Sequence, residues 1–228
     1  MRRPLLAATA LAAAVVLATA VVTGCGGDGD DWSQPRPRPS AVGALGAGFV
    51  DPAASPAPEA TITPRPGSWS AVRPSEGYRV VLLTAGDDRP TKALVTAVRD
   101  WADREQVDLR TETVTDPADM VHAADRVIAM KPDLVVGAGN DLIDALATVT
   151  PNHLSQQFLV VGAELAEPTH NVTAVDWSGA SFRGEGLGMS STYDPASFTA
   201  ARCAAAVRAG TAAVLSGWTG IVVRVDDF

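Results

Sequence analysis

From residue 78 onward the apolar positions follow two alternating patterns. Four short runs, Tyr78–Thr84, Leu134–Gly137, Phe158–Gly162 and Val172–Trp177, are almost continuously apolar and rich in β-branched residues. Runs of that length and kind predict strands buried on both faces. Val107–Val114 alternates only in part and predicts an edge strand. Between the strands the apolar residues recur at helical spacing. Ala93, Leu94, Ala97, Val98 and Trp101 form one stripe; Met120, Val121, Ala124, Val127 and Ile128 form a second; Leu142, Ile143, Leu146 and Ala147 form a third. Pro90 and Pro117 stand where first helical turns accept proline, and Asp116 and Asn140 stand where caps are needed. An Ala-rich helix over Ala196–Ala209 and a last strand over Thr219–Val225 follow.

The order β-α-β-α-β-α-β-β predicts an α/β fold: a single doubly wound, mainly parallel sheet flanked by helices, with right-handed crossovers. About 150 residues suffice for one such core and not for two. Its centre is Lys131–Leu146, where a buried strand feeds a helix through Ala138-Gly139-Asn140. In sheets of this kind ligands sit at the carboxyl ends of the strands.

Upstream the pattern is different. Arg2 and Arg3 precede the uncharged apolar run Pro4–Val22, the layout of an export signal over residues 1–24. That run ends in Val22-Thr23-Gly24-Cys25, which resembles the bacterial lipobox. The resemblance implies cleavage before Cys25 and a diacylglyceryl, palmitate-bearing anchor on it. The other reading is an uncleaved signal anchor, since about eighteen apolar residues just span a bilayer. Both place the bulk of the chain on the extracytoplasmic face of the cell membrane. From residue 25 to residue 77 no helical or strand period is sustained, and proline is concentrated there. Proline removes a donor and keeps its predecessor out of the α region, so this stretch is expected as a disordered, solvated tether, with the folded domain over 78–228. The Pro35–Pro39 Pro-Arg repeat is read as part of that spacer rather than as a partner motif.

The formal net charge of −8 and a pI near 4.8 argue against a general nucleic-acid binder, which needs a basic face. Two cysteines, Cys25 and Cys203, are too few for a disulfide framework. Asp87 and Asp88, just past the first strand, are placed to meet a sugar hydroxyl or a cation; the other reading is a solvated acidic turn capping the next helix. Gly137-x-Gly139 lacks the further glycine of a dinucleotide fingerprint and reads as a tight turn. His122, His153 and His170 lack metal-ligand spacing, and no Gly-x-Ser-x-Gly elbow occurs. Cys203 stands among alanines and reads as a packing residue. Asn171-Val172-Thr173 is a glycosylation sequon by coincidence. No enzyme, metal or cofactor is expected.

Taken in order, these segments resemble the basic-membrane-protein (BMP) family of substrate-binding lipoproteins, which share the type 1 periplasmic binding protein fold. The resemblance is carried by Asp87-Asp88, by Pro132–Gly137 with Asp144-Ala145-Leu146, by Phe158–Val161, and by Asn171–Val175 leading to Ala180–Gly184. It implies a non-enzymatic solute-binding module that captures small polar solutes, often nucleosides, between two lobes and delivers them to an ABC permease. Two departures stand out. The family's first loop carries an aromatic, whereas this one reads Asp87-Asp88-Arg89-Pro90-Thr91-Lys92. The chain also lacks the residues for a second lobe, and Gly184–Tyr193 is the length of a bypass. The expected form is therefore a single lobe, with Asp87, Asp88, Gly139, Asn140 and Glu164 as solute-binding residues. Its partners are then the bilayer and either a permease or a second copy that closes the cleft. The alternative is a degenerate lobe serving as a structural or protein-interaction module of the envelope.

Overall fold

The computed structural model describes Trp32, Arg36 and residues 39–51, 53–184, 188–189 and 192–228. Cys25 and the export-signal stretch lie outside these residues. The chain divides into two units, Met1–Gln34 and Pro35–Phe228, and the second carries every strand and helix among the described residues.

Three two-residue strands come first: β1 (Ala41–Val42), β2 (Thr61–Ile62) and β3 (Arg73–Pro74). Then follow β4 (Arg79–Ala85), α1 (Arg89–Glu105), β5 (Asp108–Val114), α2 (Met120–Ala129) and β6 (Leu134–Ala138). Next are α3 (Ile143–Val149), β7 (Phe158–Val161), β8 (Ala163–Glu164) and β9 (Val172–Asp176). The last are β10 (Ser181–Gly184), β11 (Gly188–Met189), α4 (Ala200–Leu215) and β12 (Val222–Arg224).

The main sheet runs parallel in the order β5-β4-β6-β7-β9-β12-β2. Beyond β9 a short antiparallel step through β8 leads to β10 and β11. α1 and α4 pack together on one face, and α2 and α3 pack together on the other. Both faces are thereby dry: Val80, Val81, Leu82, Leu83, Leu134, Val135 and Val136 have no exposure. The expected doubly wound α/β sheet is the observed one. Strand order reverses between β4 and β6, because the chain leaves β4 outward to β5 and returns across it. That reversal opens a crevice at the strands' carboxyl ends.

Four local expectations change. The stretch from 39 to 77, expected as a disordered tether, is laid against the sheet. β1 pairs with β3, β2 extends the sheet beside β12, and Phe49 and Trp69 join the core at 2% and 3% exposure. Extended, proline-restricted backbone suits an edge strand as well as it suits water. Asn140 does not cap a helix; it opens a 3-10 turn through Leu142, with no side-chain capping bond, before α3 begins. Another 3-10 turn at Pro117–Asp119 rotates α2, so that Ala123, Ala124 and Val127 face inward while Val121 is exposed. The Ala-rich helix starts late, at Ala200, because Asp194 caps a 3-10 turn and Thr199 caps the true helix through Arg202 N at 3.2 Å.

α4 is the reason this sheet face closes tightly. Its Cys203, Ala206, Ala209 and Ala213 are fully buried. At Gly210 an added β-carbon would stand 2.5 Å from Leu159 Cδ1 and from Val175 Cγ2, so the helix backbone lies directly on β7 and β9. Asn171, the residue of the sequon, is also wholly buried. Its amide donates to the carbonyls of Thr150, His153 and Gln156 at 3.2, 3.1 and 3.0 Å, and so ties two loops together. Overpacking at a site as close as Gly210 costs about 1–3 kcal/mol. Gly210→Val is therefore expected to lower the denaturant midpoint without changing the slope, and an unchanged midpoint would show that α4 has room to lift.

Candidate functional site

The crevice at the switch point is a cleft of about 420 Å³ lined by Asp88, Thr91, Gly139, Asn140, Asp141, Tyr193 and Phe198, among others. Each comes from a strand end or a helix start. Asp88 follows β4 and caps α1: its Oδ1 accepts from Thr91 N at 3.0 Å and its Oδ2 from Thr91 Oγ1 at 2.7 Å. Gly139 follows β6 with φ +119°, and a β-carbon there would lie 2.7 Å from the Ala85 carbonyl oxygen. Only glycine lets the β6 turn approach the end of β4 this closely. A β-carbon built on Gly86 would lie 3.2 Å from Asp88 Oδ2 and 3.3 Å from Asp141 Oδ2, so the two carboxylates face the same small space.

The opposite wall is aromatic. Tyr193 and Phe198 pack edge to face with ring centroids 5.8 Å apart, and Phe198 in turn meets Trp177 at 4.9 Å. Trp177 Nε1 donates to Ser197 Oγ at 2.9 Å, fixing the segment that carries both rings. Partial burial, then the charges of Asp88 and Asp141, raises the Tyr193 hydroxyl above the usual tyrosine value. The phenol thus stays protonated and can donate. Asn140 Oδ1 is buried and lacks a hydrogen-bond partner, an arrangement that is uncommon in folded proteins. The cleft as a whole offers carboxylate acceptors on one side, a phenol donor and an aromatic face on the other, and open solvent above.

Of the five expected solute-binding residues, the structure brings together Asp88, Gly139 and Asn140. Asp87 points to solvent and pairs only loosely with Lys92, at 3.8 Å. Glu164 lines a different pocket of about 450 Å³, with Asp176, Trp177, Ser178 and Arg224. Asp141, Tyr193 and Phe198 were not singled out in the sequence. Asp141 follows the Gly139 turn directly and was legible there; the two aromatics were not, because only folding brings residues past β11 back over β4 and β6.

At the second pocket Arg224 Nη1 meets Asp176 Oδ2 at 3.1 Å, and Arg224 Nε meets Asp226 Oδ2 at 2.7 Å. Burial, then the hydrogen bond to Asp176 and the charge of that carboxylate, pushes Glu164 up to about 8, with Arg224 acting the other way. Beside it, Asp176 Oδ1 is buried and lacks a hydrogen-bond partner. Among the described residues, no group of three or more His, Cys, Asp or Glu is placed to hold a metal ion. No helix there is long and apolar enough to cross a membrane.

No family model matches the sequence, and no curated protein matches it. Solved structures do. A solute-binding protein of an ABC transporter system from Aeropyrum pernix K1 is 21% identical with a TM-score of 0.41, over 44% of this chain and 29% of that one. One from Conexibacter woesei is 20% identical with a TM-score of 0.39, over 45% and 36%. A periplasmic ribose ABC transporter protein, also from Conexibacter woesei, is 17% identical with a TM-score of 0.33, over 66% and 55%. The chain thus spans less than two thirds of the length of each. At these scores the likenesses assign neither ligand nor partner, and the α/β architecture stands on its own strand order.

Glu164 also makes stability depend on pH. Its folded value of about 8 lies above the ordinary 4.5, so the folded state holds the extra proton between the two values. Stability is then full below about 4.5 and falls as pH rises toward about 8. Urea unfolding from about pH 5 to about pH 9 should show this decline, and Glu164→Gln should flatten it. A wild type and variant that decline in parallel would place the titrating group elsewhere.

Proposed function

We propose that this protein is a membrane-anchored extracytoplasmic lipoprotein that acts as a solute-binding module without catalysing a reaction. In this reading Cys25 carries the diacylglyceryl anchor, and the switch-point cleft receives a small polar solute such as a nucleoside. The observation that carries it is the cleft itself: Asp88, Gly139, Asn140 and Asp141 meet Tyr193 and Phe198 where open α/β sheets bind ligands. The BMP resemblance of the segments around Asp87-Asp88 and Pro132–Gly137 agrees with it, and with delivery to an ABC permease. The aromatic missing from the first loop has a substitute in Tyr193, which comes from the other side of the cleft.

A second reading has one observation in its favour. The cleft is open on one side, and good solute pockets bury about 70–90% of a ligand. A lobe that no longer captures solute would serve the envelope as a structural or protein-interaction module, and either a permease or a second copy could cover the opening.

Mass spectrometry of small molecules that copurify with the full chain, followed by thermal-shift titration against a nucleoside and sugar panel, separates the two. Solute capture predicts a saturable rise in unfolding temperature. Losing a hydrogen bond to a charged group costs about 1.5–3 kcal/mol. Asp141→Asn should therefore weaken binding about tenfold or more, and Tyr193→Ala comparably, while Asp87→Asn leaves it unchanged. No shift with any member of the panel, and no copurifying molecule, would favour the interaction module.

A further inference from the structure

The switch-point cleft is uneven in charge as well as in shape. On its acidic side Asp88 Oδ2 and Asp141 Oδ2 both lie within 3.3 Å of the point where a Gly86 β-carbon would stand. Asp88 spends part of its charge on the α1 amino terminus, through its two bonds to Thr91. Asp141 is exposed at the opening and caps nothing through its side chain. Arg89 is the one cation among the described residues that line the cleft, and it too is exposed. It does not offset the acids at the far wall: burial, then Asp88, then Asp141 raise the Tyr193 hydroxyl, and no cation acts the other way.

The polar groups are also unbalanced in kind. Two carboxylates and the orphaned Asn140 Oδ1 are acceptors. The Thr91 hydroxyl is already given to Asp88, which leaves the Tyr193 phenol as the donor opposite them. A neutral sugar or nucleoside brings acceptors as well as donors, and here it meets few donors. A nitrogen cation brings no acceptor on its charged head. The aromatic wall favours the same guest. Tyr193 is half-buried, and the buried Phe198 holds it edge to face at 65°. The face of such a ring is negative and attracts a cation.

We propose that the cleft selects a positively charged solute: an organic cation whose ammonium or methylated nitrogen head lies between the Asp88–Asp141 pair and the Tyr193 ring. This rests on the solute-binding reading above and narrows it from small polar solutes to cationic ones. The chain's net charge of −8 works in the same direction, by drawing cations toward the molecule.

Isothermal titration calorimetry on the full chain tests this with two matched pairs. Choline is compared with its uncharged carbon isostere, neohexyl alcohol, and N1-methyladenosine, cationic at neutral pH, with adenosine. In at least one pair the cation should bind about tenfold or more tightly than its neutral partner, and added salt should weaken the cation alone. Asp141→Asn and Asp88→Asn should each remove most of that preference. Asp141 is exposed, and asparagine caps a helix as well as aspartate does, so both variants keep the fold. Neutral partners that bind as tightly as the cations, or a preference that survives both variants, would overturn the charge selectivity and leave solute capture standing. Where none of the four probes binds, the molecules that copurify decide. A cationic one supports the proposal, a neutral one overturns the selectivity alone, and the absence of any overturns solute capture with it.

Discussion

Val81 and Val135 sit in register on adjacent parallel strands, and neither has any exposure. A parallel sheet of this kind has no face to give to water, and everything else in the fold answers to that requirement. Helices must cover both sides, so the chain has to cross from one side to the other. With α1 and α4 on one face and α2 and α3 on the other, the crossing falls between β4 and β6. The crevice is a consequence of covering the sheet. Closure of the first face also sets how small the residues of α4 have to be, which is why its inner row is alanine, cysteine and glycine.

Where the requirement acts directly, the sequence was easy to read. Continuous apolar runs such as Leu134–Ala138 and Phe158–Val161 have few other uses, and their order fixes the architecture. Boundaries set by turns were harder. Asp116 and Asp194 do cap, but each caps a 3-10 turn, and in both cases the true helix begins only after that turn. Proline was the more instructive failure. It reports an extended backbone and says nothing about whether that backbone is solvated. Phe49 and Trp69, large apolar residues in a proline-rich stretch, were the signal that 39–77 returns to the core, where they meet edge to face at 6.4 Å.

The site divides in the same way. Asp88, Gly139 and Asn140 were legible because strand ends can be read once strands can. Glu164 follows a strand too, yet the chain turns at Gly162 and β8 carries it toward β9 and Arg224. The two carboxyl-bearing places are chemically opposite. At the cleft, Asp88 is satisfied by Thr91 and Asp141 faces open space, so charge is available to a visitor. At the second pocket Arg224 pairs with Asp176 and with Asp226, and burial beside them holds the proton on Glu164.

A single lobe offers a ligand one wall, and enclosure is where affinity for small polar molecules originates. The segment carrying Tyr193 and Phe198 partly changes that balance. It folds over the carboxyl ends of β4 and β6 from the far side, and Trp177 and Ser197 anchor it from below. An aromatic face opposite two carboxylates is the beginning of a second wall, built from the lobe's own chain.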